Sequence, residues 1–146
     1  MKTNKLIEIL LADDDEEDRM LIIDALKESR LMNKVQSVED GQELLDYLKG
    51  KEKFSDREKY PIPGIILLDL NMPKKDGREA LKEIKADKTL RTIPIIVLTT
   101  SKAEEDILRT YNLGVNSFIT KPVSFTGMLD VMKTLNKDWF EIVELA

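Results

Sequence analysis

Three carboxylates, a hydroxyl and an ammonium stand in this chain where they could share one piece of chemistry. Asp13 and Asp14 follow the apolar segment Leu6 to Ala12, and Asp69 closes the unbroken run Ile65 to Leu68. Thr99 comes directly after Ile95 to Leu98, and Lys121 directly after Ser117 to Thr120. Gathered in one place, three carboxylates do not stay bare at pH 7, because two unit charges ~4 Å apart repel by roughly 4 kcal/mol at an effective dielectric of about 20. Either one takes up a proton or a cation sits among them. The chain contains no cysteine and no histidine, so such a cation would be held by oxygen alone. A few carboxylates plus water suit magnesium better than calcium. Magnesium beside a carboxylate, with a lysine and a hydroxyl opposite, is an arrangement for phosphoryl transfer. The carboxylate attacks phosphorus, the metal bridges the oxygens, and the ammonium neutralises developing charge.

Each residue also has a plainer reading. Acidic residues from Asp13 to Asp18 favour a helix N-terminus, Thr99 is a β-branched strand residue, and Lys121 is a surface charge. Joint position favours the chemical reading, since each stands at or just past the end of a separate strand-like segment.

Those segments must therefore be strands of one sheet. Ile65 to Leu68 has no polar interruption, which predicts a strand buried on both faces. Asn71, Pro73, Asp76 and Gly77 end it and leave Asp69 at its C-terminal tip, the edge where open α/β sheets bind ligands. Leu6 to Ala12 reads as a first strand, and Leu21, Ile22, Ala25 and Leu26 mark one face of a following helix. Lys34 to Val38 is a short, half-polar edge strand. Asp40 with Glu43 forms a capping box for a helix carrying Leu44, Leu45 and Leu48, stopped by Gly50. Residues 51–63 read as a charged, solvated insertion. A second box, Asp76 with Glu79, starts a helix that faces Ala80, Leu81 and Ile84 inward. After the buried run Ile95 to Leu98, Ser101 with Glu104 starts a helix with Ile107, Leu108 and Tyr111 as its stripe and Gly114 as its stop. Ser117 to Thr120 is a short last strand. Phe125, Met128, Leu129, Met132 and Leu135 mark the final helix, where Gly127 costs about 1 kcal/mol against Ala.

Five strands alternating with five helices predict an α/β fold with a doubly wound, five-stranded parallel sheet. Strand order 2-1-3-4-5 places the three richest strands centrally and makes the tips of the first and third neighbours at the switch point. Asp13 and Asp14 then approach Asp69, with Thr99 and Lys121 brought in from strands four and five. The 146 residues suit one domain. The net charge of −5 argues against a nucleic-acid partner, because no basic field is available to hold phosphates. No apolar run reaches the ~20 residues that span a bilayer, and no signal-peptide h-region opens the chain, so the expected location is the cytoplasm.

The stretches Ile-Leu-Leu-Ala-Asp-Asp-Asp (9–15), Ile-Leu-Leu-Asp-Leu-Asn-Met-Pro (66–73), Val-Leu-Thr-Thr (97–100) and Phe-Ile-Thr-Lys-Pro (118–122) resemble the receiver domain of two-component response regulators. The resemblance covers about residues 5–136, with the motifs in order, and leaves 137–146 as a tail. It is strongest to the small stand-alone regulators that accompany bacterial phytochrome kinases, which share the stretch 68–79, the long loop before it and the closing Trp-Phe-Glu-Ile-Val. It implies the flavodoxin-like receiver fold and a bacterial phosphorelay switch rather than an enzyme. Asp69 would be the phosphoacceptor, taking a phosphoryl group from a sensor histidine kinase of phytochrome type. Asp14 and Asp69 would ligate magnesium, with the backbone carbonyl of Asn71, while Asp13 would act mainly through water on the ion. Thr99 would bond the phosphoryl group, Lys121 would pair with it through a cis Lys121–Pro122 turn, and Phe118 would be the aromatic switch residue. Phenylalanine there departs from the commoner tyrosine, leaving packing rather than a hydroxyl to carry the signal. Asn71 and Ser101 lie where they would tune the phosphoryl lifetime.

Few residues follow Lys121, so no output domain is expected. The output would be a downstream protein contact or onward transfer to a phosphotransfer protein. Trp139, Phe140, Ile142 and Val143 crowd apolar groups into the tail. They predict a two-fold homodimer built with the switch face, against the alternative that the tail folds back on its own domain. Two other functions fit parts of the pattern. A magnesium-dependent phosphohydrolase with an Asp nucleophile would share Asp69 but normally carries a second acid where Asn71 stands. A receiver-like module that only binds partners would lack some of the site residues found here.

Overall fold

Apolar runs decide where the sheet lies, and the turns between them decide what crosses over it. The computed structural model describes residues 4–6, 8–28, 34–72, 75–99, 101–109, 114–115, 117–122, 124–135 and 143–145. In chain order the elements are β1 (Asn4–Leu6), β2 (Ile9–Ala12), α1 (Glu16–Glu28), β3 (Val35–Val38), α2 (Gly41–Lys49), β4 (Ile65–Asp69), α3 (Gly77–Ala86), β5 (Ile95–Thr99), α4 (Lys102–Arg109), β6 (Ser117–Thr120), α5 (Phe125–Leu135) and β7 (Val143–Leu145). The main sheet runs β3-β2-β4-β5-β6, all parallel. Counted among its own members, that is the expected order 2-1-3-4-5.

Alternate residues of the central strands feed two cores. Leu10, Ile66, Leu68, Ile95 and Val97 pack with α2 and α3 on one face, while Ile9, Leu11, Ile65, Leu67, Ile96 and Leu98 pack with α1 and α5 on the other. β4 and β5 are buried along their whole length. Each fully buried Leu or Ile there stabilises the fold by about 1.5–3 kcal/mol, which explains why the unbroken apolar runs take the middle of the sheet.

Several expectations are corrected. The first strand divides: Ile9–Ala12 joins the main sheet, whereas Asn4–Leu6 pairs antiparallel with Val143–Leu145 of the same chain. The end of the tail thus folds back on its own domain; Trp139, Phe140 and Ile142 lie outside the described residues. The connection 51–63 is solvated along most of its charged residues, as expected, but is also anchored to the core. Phe54 is buried, and Tyr47, Phe54 and Tyr60 form a tilted and edge-on aromatic cluster with centroids 5.1–5.9 Å apart. The Arg57 guanidinium donates to the carbonyls of Tyr47, Leu48 and Tyr60 at 2.7–3.1 Å, which satisfies carbonyls left over at the C-terminal end of α2. Ile107 and Phe125, read as stripe residues, are exposed. Phe125 opens α5, a position too near the helix start to reach the core filled by Met128 and Met132. Tyr111 lies outside the described residues.

Caps hold the helices at the sheet's C-terminal edge. Asp40 Oδ1 accepts from the Glu43 N–H at 2.8 Å, and Glu43 returns a bond to the N–H of Glu39 rather than of Asp40. Asp76 accepts from the Arg78 N–H at 2.7 Å, and Ser101 Oγ from the Glu104 N–H at 3.1 Å. Gly127 stands in the first turn of α5 and not in its interior, its N–H donating to Ser124 Oγ at 3.0 Å. A Cβ there would come within 2.8 Å of Pro122 Cβ, so glycine makes room for the chain just past Lys121.

Candidate functional site

Sheet register sets the site. Ala12 pairs with Leu68, Asp69 with Leu98, and Thr99 with Thr120, so Asp13, Asp69, Thr99 and Lys121 crowd one edge. Asp13, Asp14 and Asp69 each offer a carboxylate oxygen within 4.8 Å of the others. Asp13 and Asp69 are buried and Asp14 is exposed, which leaves one side of the cluster open to solvent. Immediately after Asp69 the chain doubles back: the Gly77 N–H donates to the Leu70 carbonyl at 3.0 Å. A Cβ at Gly77 would lie 2.6 Å from Leu70 Cα and 2.8 Å from the Asp69 carbonyl oxygen, so only glycine lets α3 start this close to the strand tip.

Lys121 is the cation of this cluster. Its Nζ donates to Asp13 Oδ2 at 2.7 Å, to Asp18 Oδ2 at 2.9 Å and to Asp69 Oδ2 at 3.1 Å. The Lys121–Pro122 bond is trans, since no peptide bond among the described residues is cis; the expected cis turn is corrected. The Lys121 N–H instead donates to the Thr99 carbonyl at 2.7 Å, which extends the strand pairing one residue past β6. The flexible four-carbon stem of lysine covers the remaining distance into the site. Asp69 Oδ1 accepts from the Asn71 N–H at 2.9 Å, so both Asp69 oxygens are oriented.

Charge follows geometry. Burial pushes the Asp13 carboxyl up to about 6, against the pull of its hydrogen bonds to Lys121 and to the Asp15 N–H and with a further push from Asp69. Burial would lower the Lys121 ammonium, but its bonds to Asp13 and Asp18 and the charges of Asp13 and Asp69 hold it above its ordinary value. The donor set is all oxygen, with two carboxylates desolvated and one reachable from water. Such a set fits a hard divalent cation.

The predicted signalling residues are placed differently. The Thr99 hydroxyl is buried and lies 3.3 Å from the carbonyls of Ser101 and Ile119 and from Thr120 Oγ1. Thr120 Oγ1 donates in turn to Glu105 Oε1 at 3.5 Å, and Glu105 Oε2 accepts from Lys102 Nζ at 2.6 Å. Phe118 is half-buried and packs against the core on the α2–α3 side. The Asn71 side chain reaches Glu104 at 3.4 Å and Arg78 at 3.3 Å.

Two groups escaped the sequence reading. Asp18 looked like one more acid of a helix start, yet Asp15 caps α1 and aims the next turn at Lys121. Thr120 stood inside the Phe-Ile-Thr-Lys-Pro stretch with no role of its own, and Glu105 stood in no motif; only the pairing of β5 with β6 shows that Thr120 faces Thr99.

Comparison with known proteins agrees with this fold. Residues 9–133 match the response regulator receiver domain family. Response regulator Rcp1 of Synechocystis sp. is 38% identical over 137 residues, covering 94% of this chain and 91% of its own length. The phosphorylated cyanobacterial phytochrome response regulator RcpA superposes with a TM-score of 0.82 at 40% identity, covering 95% of this chain and 97% of its own. The Mn(2+)-bound form of Rcp1 gives 0.80 at 37% identity, covering 96% and 99%. With the sheet order, the acidic cluster and the lysine all in place, the chain belongs to the response regulator receiver domain family, whose members act as signalling switches in two-component systems.

Proposed function

We propose that Asp69 accepts a phosphoryl group from a histidine of a sensor kinase, and that the phosphorylated chain signals by contact with another protein or passes the group onward. One observation carries this reading: a buried, doubly oriented carboxylate at a strand tip, flanked by two further carboxylates and a buried ammonium. An Asp69 oxygen forms the new bond to phosphorus as the bond to the histidine nitrogen breaks. Magnesium, held by Asp14, Asp69 and the Asn71 carbonyl with support from Asp13, would supply positive charge to the phosphoryl oxygens. Lys121 supplies a second positive charge from the opposite side. The Asn71 N–H keeps Asp69 from rotating. Thr99 gives up its present contacts to bond a phosphoryl oxygen, and Phe118 follows by packing. This division between Thr99 and Phe118 rests on the family resemblance and on the buried position of the Thr99 hydroxyl.

The names of the similar proteins favour a phytochrome-type kinase as the partner. Among the described residues no helix is long and apolar enough to cross a membrane, and a place in the cytoplasm accords with exchange with such a kinase. The test is intact-mass measurement with a small phosphodonor and magnesium. Wild type gains one phosphoryl mass and Asp69→Asn gains none; equal gain by both defeats the proposal.

A further inference from the structure

Asp15 accepts the N–H groups of Glu17 and Asp18 at 2.9 and 3.1 Å, which fixes Asp18 in the first turn of α1. From there its Oδ2 lies 2.9 Å from Lys121 Nζ. An ammonium has three protons to donate, and in this protein Asp13, Asp18 and Asp69 take them. Two of these acceptors have other work on the reading above. Asp13 and Asp69 belong to the three-carboxylate cluster that would hold the metal, and Asp69 would also become the acyl phosphate. Asp18 is outside that cluster and sits on a different element from either Asp69 or Lys121. Among the described residues it is the one acceptor of Lys121 that neither event displaces.

We propose that Asp18 is a positioning residue: it keeps the Lys121 ammonium in the site while the two N–H groups that Lys121 now donates to Asp13 and Asp69 are redirected to the phosphoryl oxygens. The proposal rests on phosphoryl acceptance at Asp69. Without Asp18, the stem of Lys121 has no fixed partner once the metal claims the other two carboxylates, and a flexible ammonium must be reordered at each transfer. A rival role is easily stated and opposite in sign. If Asp18 merely competed for Lys121, its removal would speed acceptance.

The experiment compares full-length wild type, Asp18→Ala, Asp18→Asn, Lys121→Met and the double variant Asp18→Ala/Lys121→Met. Three quantities are measured: the rate of phosphoryl gain from a small phosphodonor, the affinity for magnesium alone by calorimetry, and urea unfolding. Asp18→Ala is expected to slow acceptance about five- to tenfold, the loss fitting one partly exposed charge-assisted hydrogen bond. Asp18→Asn, which keeps an oxygen acceptor without the charge, falls between and guards against misfolding of the alanine variant. Magnesium affinity stays within about threefold, because Asp18 is over a third exposed on its side chain and well screened. In the Lys121→Met background, removing Asp18 changes the rate no further, the signature of action through Lys121. Equal slowing in both backgrounds, faster acceptance, or a loss of magnesium affinity matching the loss of rate overturns the proposal. Acceptance by Asp18→Ala at the wild-type rate defeats this inference alone, whereas a wild type that gains no phosphate defeats the proposed function with it.

Discussion

Replacing Lys121 by methionine tests whether the acidic cluster is held together by one ammonium. Its Nζ lies within 3.1 Å of three carboxylate oxygens. The Asp13 and Asp69 side chains are only 0% and 6% exposed, so neither can be rehydrated in place. Removing one partner from a buried ion pair typically costs about 3–5 kcal/mol, because the remaining charge keeps its desolvation penalty without compensation. Asp18 is left out of that figure, since its exposed side turns to water. In EDTA, Lys121→Met should therefore unfold with about 3–5 kcal/mol less free energy than wild type. With a urea slope of about 2 kcal/mol/M the midpoint falls by roughly 2 M. Magnesium should bind the variant more tightly than wild type, since no ammonium competes for the same oxygens. At about 100 times its dissociation constant it restores ~2.7 kcal/mol. Urea titrations of both proteins, with EDTA and with magnesium, provide all four numbers. A loss in EDTA below ~1 kcal/mol, or a variant that magnesium fails to stabilise, refutes the reasoning.

Other perturbations probe the metal side, the loop and the tail. Asp14→Ala removes the exposed member of the cluster and should weaken magnesium binding at least about tenfold while leaving metal-free stability within ~0.5 kcal/mol, measured by calorimetry and urea unfolding. Phe54→Ala should cost about 3–5 kcal/mol because the ring is 5% exposed and packed on Tyr47 and Tyr60; a change near zero in the urea midpoint would show that the connection is not anchored to the core. Burial and the nearby Glu8 charge push the Tyr47 hydroxyl up to about 12 from 10.0. The folded state thus holds this proton more tightly, so the stability it contributes is complete below pH ~10 and lost as the pH rises toward ~12, by as much as ~2–3 kcal/mol. Tyr47→Phe should flatten that alkaline decline. For the homodimer expected from the sequence, sedimentation at tens of micromolar should show association that beryllofluoride tightens; truncation after Asp138 should leave it unchanged, since Val143–Leu145 pairs within its own chain, and monomers throughout sink the dimer.

The sheet and its loaded edge were legible because buried parallel strands write themselves as unbroken apolar runs. Ile65 to Leu68 and Ile95 to Leu98 have no other place to go, and the residues just beyond them must stand at the C-terminal edge. Strand order followed from the same fact, so Asp13, Asp69, Thr99 and Lys121 could be gathered without coordinates. What stayed hidden depends on orientation rather than pattern. Asp18 reaches Lys121 only because the cap at Asp15 sets the angle of α1. Phe54 and Arg57 were masked by the charged residues around them, although Arg57 spends its charge on backbone carbonyls instead of solvent. The Lys121–Pro122 bond shows a different failure: a family expectation stood in for a measurement of reach, and the side chain proved long enough without the turn.

The pairing of the chain's two ends has a mechanical consequence. In the β1–β7 ladder Asn4 lies opposite Leu145, and Leu6 opposite Val143, so the outermost rung joins the residues nearest the two termini. A force that draws the ends apart loads the rungs one after another, as in a zipper, and never all together in shear. The clasp therefore opens first and at low force, while the five-stranded sheet, which shares no rung with it, carries no load until the clasp has gone. A tethered molecule pulled by its ends should accordingly lengthen in two steps, a small release of the termini followed by rupture of the parallel sheet.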